Sequence, residues 1–378
     1  MKILITDIHH GNGGGHVTYV LSLLKGLKDD VDLTVAAPPA GRLYKLASGI
    51  SGVRVLPGLY TSRPLTLLAE VRQLRKFLKQ ERFDVVHVNG GADHRHIMLA
   101  SLGLRHRPAI VWTKHNTNPV SSFGHSLRAK FGTHVSIAVC EYVAKILSDS
   151  GYNDRPIHVV RNGIDVEYLQ PVSPAYKQEC RQRLFGQLDD DVLVFGSIGG
   201  TDHNKGWQVL VEAISRLEPA LRCRFRVVVA GDPPQPDLQE KVDALQMRSQ
   251  VVFPGLVKDV RTVLGACDVG FVLSFREAAS YASCETMAMG LPALVSDAGG
   301  LPENVRDGLD GWVVPAGRVD ELAQMLRSIL SNEADLPAMG ASARSRVEQA
   351  FSSSGFIADT KKVYTQAHVV ARQVAASI

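Results

Sequence analysis

No apolar run in the sequence approaches the ~18 residues that a helix needs to cross a bilayer, so no segment reads as a membrane span. The opening stretch MKILITD has only Ile3, Leu4 and Ile5 in succession, too few for the apolar core of a signal peptide. Cysteine is scarce. Cys140, Cys180, Cys223, Cys267 and Cys284 are scattered with no Cys-x-x-Cys spacing. That excludes a disulfide framework or a Cys-rich zinc site and predicts five small core hydrophobes in a reducing cytoplasm. A surplus of one charge is also missing: 42 Lys+Arg against 38 Asp+Glu leave +4, too little for a protein that coats nucleic acid. What is present, 45% hydrophobic and 21% charged residues, is the composition of an ordered globular chain. Its 378 residues leave room for two domains at ~150 residues or somewhat more each.

Short β-branched runs alternate with longer helical patterns. KILITD, VDLTVAA, DVVHVN, AIVWT and VSIAV read as strands, several with consecutive apolar positions as in strands covered on both faces. Val17, Val20, Leu21, Leu24 and Leu27 repeat at the spacing of one helical face. Residues 64–82 predict another helix, with Leu68, Val71, Leu74 and Leu78 turned inward. This alternation argues for a parallel sheet with helices on both sides. The pattern pauses at RNGIDVEYLQPVSP (161–174), where the turn pair Asn162-Gly163 is followed by two prolines. It restarts with DVLVFGSIG, FRVVVAG, QVVFPG, DVGFVLS and PALVSD. The fold class is therefore α/β, with one domain over 1–168 and a second of similar size over 169–356. Helices are expected over roughly 319–331 and 335–350. A final helix over about 357–375 has no strand to serve in the second domain, so residues 357–378 are expected to pack back on the first.

Two glycine-rich turns follow strands. In DIHHGNGGGHVTYV the dinucleotide fingerprint would begin at Gly11 and use Gly13, but position 16 is His, and no Gly-Lys-Ser/Thr follows to make a Walker loop. The turn admits a ligand, phosphate included, to a helix N-terminus without naming it; a tight turn without a ligand fits equally well. SDAGGLPENV, with Gly299 and Gly300, is the second. The most informative stretch is SFREAASYASCETMAMGLPALVSDAGG. Glu277 follows a strand, and Glu285 lies in the next helix, ~12 Å away at ~1.5 Å per residue. This spacing suits the two ends of an elongated polar ligand better than a compact acid–base pair. Ala278, Ala279 and Ser280 leave backbone amides open to a diphosphate. Read alone, one helix-start charge and one solvated Glu would be the simpler account.

Together the motifs resemble a family. Glu-x7-Glu followed by MAMGLP and GGLPENVRDGLDGWVVP is similar to the retaining glycosyltransferases of family 4, as are GGGHVTYVLSLLKGL, DVVHVN, RNGID and GGTDHNKGWQVLVEAI, in the same order over nearly the whole chain. The resemblance implies two Rossmann-like domains facing a central cleft (GT-B), which move a sugar from a nucleotide donor with its anomeric configuration kept. It implies that Glu285 binds the ribose hydroxyls and Glu277 the donor sugar. The amides of Ser280, Tyr281 and Ala282 would hold the diphosphate and Lys205 would neutralise it. Gly14 and Gly15 would close the first domain on the phosphate side, His115 would touch the sugar, and Gly255 would edge the base. Two positions depart from the family pattern: Gly200 stands where an Arg is usual, and Ala278 where a Gly often follows the first Glu. Leaving-group charge then falls to Lys205, His203, amide groups or another basic side chain.

The resemblance implies no essential metal and no other cofactor. The run Asp189–Asp191 precedes a strand and reads as solvated charge. His87 is expected to be a hydrogen-bonded core residue, His94 and His96 to be exposed or on the acceptor side. The expected reaction is transfer from a nucleotide-sugar, with UDP as the default base, to a glycan or lipid-linked acceptor in cell-envelope polysaccharide or lipopolysaccharide synthesis. A sugar-nucleotide epimerase of similar two-domain fold is the alternative. A dehydrogenase lacks its glycine fingerprint, and a periplasmic-type binding protein lacks its signal peptide. The expected location is cytoplasmic, with a peripheral seat on the inner face of the membrane as a further expectation. It comes from residues 63–82, where Arg72, Arg75, Lys76 and Lys79 lie opposite the apolar stripe. An ordinary surface helix with that stripe in the core is weighed slightly above it. No nucleic-acid partner is expected.

Overall fold

The computed structural model describes the chain except residues 12, 13, 62, 332–334, 377 and 378; Gly13 of the first glycine turn thus lies outside the described residues. The chain forms two compact units, Met1–Gly163 with Ser353–Ile378, and Ile164–Ser352. The divisions fall after 163 and 352 instead of 168 and 356. Ile164 N–H donates to Phe351 O at 2.7 Å, which ties both crossings of the chain into the second unit at that point.

The first unit is built on a parallel sheet ordered β3-β2-β1-β4-β5-β6-β7. Its strands are β1 (Lys2–Thr6), β2 (Asp32–Ala37), β3 (Val53–Pro57), β4 (Val85–Val88), β5 (Ala109–Lys114), β6 (Val135–Ala138) and β7 (Ile157–Val159). The second has β10-β9-β8-β11-β12-β13, with β8 (Leu193–Ser197), β9 (Phe225–Val229), β10 (Val251–Val252), β11 (Val269–Val272), β12 (Ala293–Ser296) and β13 (Gly311–Val314). Both start 3-2-1-4 in their own numbering, the doubly wound order in which ligands bind where the strand direction of travel reverses. Central strands such as β4, β6, β11 and β12 are buried at every position, as helices on both faces require. The strands that periodicity leaves unread, β3, β7 and β13, lie at or next to sheet edges, and in β3 and β7 no residue is fully buried.

Helices Val319–Leu330 and Leu336–Ala350 follow the expected ranges, while the last one, Ser353–Ala376, starts inside FSSSGF. In the first unit Tyr364 of that helix lies 2.7 Å from His87 Nδ1, whose Nε2 meets Thr113 Oγ1 at 2.6 Å, and Tyr19 OH meets the same hydroxyl at 3.0 Å. His87 is fully buried with both ring nitrogens engaged, as a core histidine must be.

Three expectations fail. His94 and His96 are buried, not exposed: His94 Nε2 contacts Gly132 O at 3.0 Å, and His96 Nε2 contacts Glu70 at 2.9 Å. Their helix, Gly91–Ser101, is covered by its neighbours along most of its length; these partners offset part of the cost of ring burial, while His94 Nδ1 is buried with no partner. Cys223 is exposed, although the other four cysteines are buried and all five are free. In the helix Pro64–Glu81 only Leu78 is buried; Leu65 and Leu68 are 86% and 48% exposed. The apolar stripe is fully seated only at Leu78, half-buried at Val71 and Leu74, and open at Leu68.

Burial holds His87, His94 and His134 down to about 3, because the charged ring would lose its hydration. Unfolding restores the ordinary 6.5, so between these values the unfolded chain binds more protons and stability falls as pH is lowered. The thermal midpoint is expected to drop steeply below pH 6.5. His87→Gln should flatten that slope while costing about 1–3 kcal/mol at pH 8 from broken hydrogen bonds; an unchanged slope would assign the acid sensitivity elsewhere.

Candidate active site

In the second unit the carboxyl ends of β8 and β11 present two loops. After β8, Asp202 caps a single 3-10 turn (His203–Lys205) by accepting the Asn204 N–H. Gly206 then turns at φ +66° into the helix Trp207–Ser215. A Cβ at Gly206 would stand 1.9 Å from Leu273 O, so only glycine allows the two loops this approach. Phe275 N–H donates to Asn204 O at 2.8 Å and Asn204 Nδ2 to Arg276 O at 2.9 Å. His203 stacks on Phe275 at 5.4 Å. These contacts deliver Lys205 Nζ to Glu277 Oε2 at 3.0 Å, with Ser274 Oγ 3.3 Å from the same oxygen. The SDAGGLPENV turn supports the loop from the other side: Gly300 N–H donates to Glu277 O at 3.1 Å.

Three residues beyond Glu277, Ser280 caps the helix Tyr281–Ala288, accepting the Ser283 N–H on Oγ at 3.2 Å. Tyr281 and Ala282 open the helix, where N–H groups lack intrahelical acceptors and the dipole favours an anion. Glu285 sits one turn in. Its side chain is half-buried, and desolvation pushes the carboxyl up to about 7, because the charged form loses its hydration. Gly255 follows β10 at φ +80° with open space around it, and its carbonyl accepts the Gly231 N–H at 3.1 Å. A Cβ at Gly231 would lie 2.8 Å from Gly200 Cα. Gly200, at φ +101°, therefore belongs to a glycine contact that an Arg in that conformation would strain. Gly231 and Ser274 were not singled out from sequence; the strand-then-glycine pattern VVVAGD is the signal that points to Gly231.

In the first unit, Gly14 and Gly15 open the helix Gly14–Leu27, Gly14 at φ +44° with no neighbour within reach of a Cβ. The next residue, His16, lies between two other imidazoles, 4.1 Å from His9 and 4.3 Å from His115. Through it the structure brings the glycine turn and His115 together. Asn89 Nδ2 donates to Thr6 O at 3.0 Å, which turns its Oδ1 to His115 Nε2 at 2.9 Å. That nitrogen carries the proton, so Nδ1 is left as an acceptor. Burial and the nearby His16 hold His115 well below its ordinary range, so the ring is neutral at pH 7. Asp7 and His9 were missed in sequence, although the Asp-x-His pattern after the first strand was visible. Asp7 is fully buried and accepts His9 Nδ1 at 2.9 Å, which raises the His9 value. Ligand atoms of Asp7, His9 and His16 lie within 4.8 Å of one another. A zinc ion, with bonds of ~2.0–2.1 Å, would require them to close up and the Asp7–His9 hydrogen bond to rearrange.

Two family models match the chain in succession: Glycosyltransferase Family 4 over residues 13–168 and Glycosyl transferases group 1 over 190–332. The chain is 28% identical over 283 residues to the putative glycosyltransferase EpsD of Bacillus subtilis, covering 69% of this chain and 71% of that one. It is 25% identical to the D-inositol 3-phosphate glycosyltransferase of Corynebacterium glutamicum, covering 94% and 93%. The structure of Anabaena HepE in complex with UDP superposes with a TM-score of 0.80 at 20% identity, over 97% of this chain and all of that one. None of this supports the epimerase alternative.

The Glu285 carboxyl supplies a test of the donor-side geometry. Its folded-state value lies above the ordinary 4.5, so the folded chain holds the extra proton between 4.5 and about 7, and stability falls as pH rises through that window. Glu285→Gln should therefore stabilise the fold at pH 8 by up to about 3 kcal/mol less what solvent screens, seen as a higher thermal midpoint, and leave the midpoint unchanged at pH 4.5. A variant less stable than the parent at pH 8 would show that the carboxylate is compensated. The two matched models cover most of the chain and the two-sheet α/β architecture agrees with them: the chain belongs to the GT-B glycosyltransferases of the family 4 type.

Proposed function

We propose that the donor of this glycosyltransferase is a UDP-sugar and that the sugar is transferred with retention to a glycan or lipid-linked acceptor in cell-envelope polysaccharide or lipopolysaccharide synthesis. The observation that carries the donor reading is the Lys205–Glu277 pair at 3.0 Å, set beside the start of the helix Tyr281–Ala288. Cleaving the anomeric bond loads negative charge on the leaving diphosphate. A cation and a helix N-terminus fixed beforehand stabilise that charge without reorganising. In this reading Lys205 turns from Glu277 to the diphosphate, and Glu277 is freed to accept hydroxyl protons of the donor sugar. Ser280, Tyr281 and Ala282 offer amides, Glu285 accepts the ribose hydroxyls and Gly255 borders the base. Gly14, Gly15 and His115 serve from the first unit, His115 as a neutral acceptor through Nδ1. The UDP and UDP-glucose in HepE complexes support the choice of base. The diphosphate is neutralised by protein groups, and the reaction proceeds without an essential metal.

The helix Pro64–Glu81 supports a peripheral membrane seat. Its exposed Leu65 and Leu68 lie on an element that also exposes Arg72, Lys76 and Lys79, and anionic lipid attracts such charges at ~1 kcal/mol each. No helix among the described residues is long and apolar enough to cross a membrane.

Incubation with UDP-, GDP- and ADP-sugars should release UDP without redox change, with the anomeric configuration kept in the product by NMR and activity intact in a chelator. Another released nucleotide, an inverted product, or loss in chelator restored by a divalent metal would each overturn the corresponding part. Lys205→Ala should cut turnover by ~10²–10³, the cost of one preorganised charge-stabilising group; a minor effect would move that role to another cation. Co-sedimentation with anionic liposomes should fall with salt and in an Arg72→Gln/Lys76→Gln/Lys79→Gln variant. Absence of binding at low salt would leave the helix a structural element.

A further inference from the structure

At the amino ends of β4 and β5, opposite the end that carries Asn89 and His115, the first unit has a concave site of about 620 Å³. Arg82, Arg105, Arg107 and Arg372 line it, together with His106 and His368. These side chains come from distant parts of the chain. Arg82 is the left-handed residue that ends the helix Pro64–Glu81, Arg105 and Arg107 stand in the turn before β5, and Arg372 is on the C-terminal helix. One carboxylate, Asp84, shares the wall, and its Oδ2 already accepts the Lys2 N–H at 2.7 Å. Among the described residues none of the four guanidinium groups has a carboxylate within 4.0 Å, whereas Arg181, Arg261 and Arg306 each sit on one.

Four arginines on one wall with a single carboxylate among them leave an excess of positive charge, and one of them, Arg107, whose guanidinium also donates to Phe131 O, is partly desolvated. Arg107 Nε is buried with no partner, and burial together with the like charge of Arg155 weakens its hold on its proton. The adjacent His134 is kept neutral, its Nδ1 accepting the Ile110 N–H at 2.8 Å. Guanidinium forks match the geometry of phosphate oxygens, and a cavity of this size is in the range of small-ligand sites.

We propose that this cavity is a second anion site that binds a phosphate-bearing ligand, separate from the donor site and on the opposite end of the first sheet from His115. The phosphate can come from a soluble phosphorylated molecule or from an anionic lipid headgroup. The second source has a route in the basic helix Pro64–Glu81, which ends at Arg82.

The test uses the full chain with inorganic pyrophosphate as the soluble probe, titrated calorimetrically with UDP at saturation so that the donor phosphates are occupied. In a second arm, vesicles of phosphatidylcholine are compared with vesicles that also contain phosphatidic acid. Arg105→Gln/Arg372→Gln should weaken pyrophosphate binding, or phosphatidic-acid vesicle binding, at least tenfold, and leave turnover of the donor unchanged. It should fold with an unchanged or higher thermal midpoint, since like charges are removed. Arg105→Lys/Arg372→Lys, which keeps charge but not the fork, should lose less. Arginine-dependent pyrophosphate binding assigns a soluble ligand, and arginine-dependent vesicle binding alone assigns the headgroup. Absence of binding to both probes, or binding that is indifferent to both variants, overturns the proposal. Because the readout is binding, its failure is separable from a failure of the donor assignment.

Discussion

The close approach of Gly206 to the Leu273 carbonyl is the constraint on which the second unit's site depends. A methyl group there would stand 1.9 Å from the oxygen, and the backbone is left-handed at that point. Without that approach the loops after β8 and β11 separate, and the Asn204–Phe275 and Asn204–Arg276 hydrogen bonds go with it. The Lys205–Glu277 pair is the product of these contacts rather than their cause. A half-buried ion pair contributes little net stability once desolvation is counted. In the proposed mechanism it keeps a cation and a carboxylate in place until a ligand takes over one of them.

The first unit handles charge differently at the two ends of its sheet. At the carboxyl end, near Asn89 and His115, burial keeps the rings of His16 and His115 neutral, with His9 adding to it at His16 and His16 at His115, while His9 itself is raised by the buried Asp7. At the amino end, four arginines share a wall with a single carboxylate, Asp84. The overall net charge of +4 conceals this separation, since the sum is nearly balanced while its distribution is not.

Much of this was legible in the sequence, for reasons that can be named. Strands covered on both faces, such as DVVHVN and DVGFVLS, give unbroken apolar runs, and the helices 319–331 and 335–350 are periodic. The edge strands β3, β7 and β13 escaped because strands of three to five residues, half-exposed in β3 and β7, are too short to give a period to read. Glu277 and Glu285 stood out by spacing and small neighbours, but their difference did not: one carboxylate is paired with Lys205, and the other is half-buried with no ion pair among the described residues, a fact of tertiary packing. Burial of His94 and His96 reads as polarity in a sequence, and only their acceptors, Gly132 O and Glu70, explain it. The half-seated helix Pro64–Glu81 shows the converse. Its stripe is periodic, yet nothing covers Leu65 and Leu68.

The central claim is that a nucleoside diphosphate lies against the start of the helix Tyr281–Ala288 beside Lys205. Hydrogen–deuterium exchange of the full chain with and without UDP tests it most directly, since amides that donate to phosphate are slowed without regard to turnover. The account predicts new protection at residues 280–283 and 203–206, diminished in a Lys205→Ala variant. Protection absent from both segments, or equal in the parent and the variant, would contradict it.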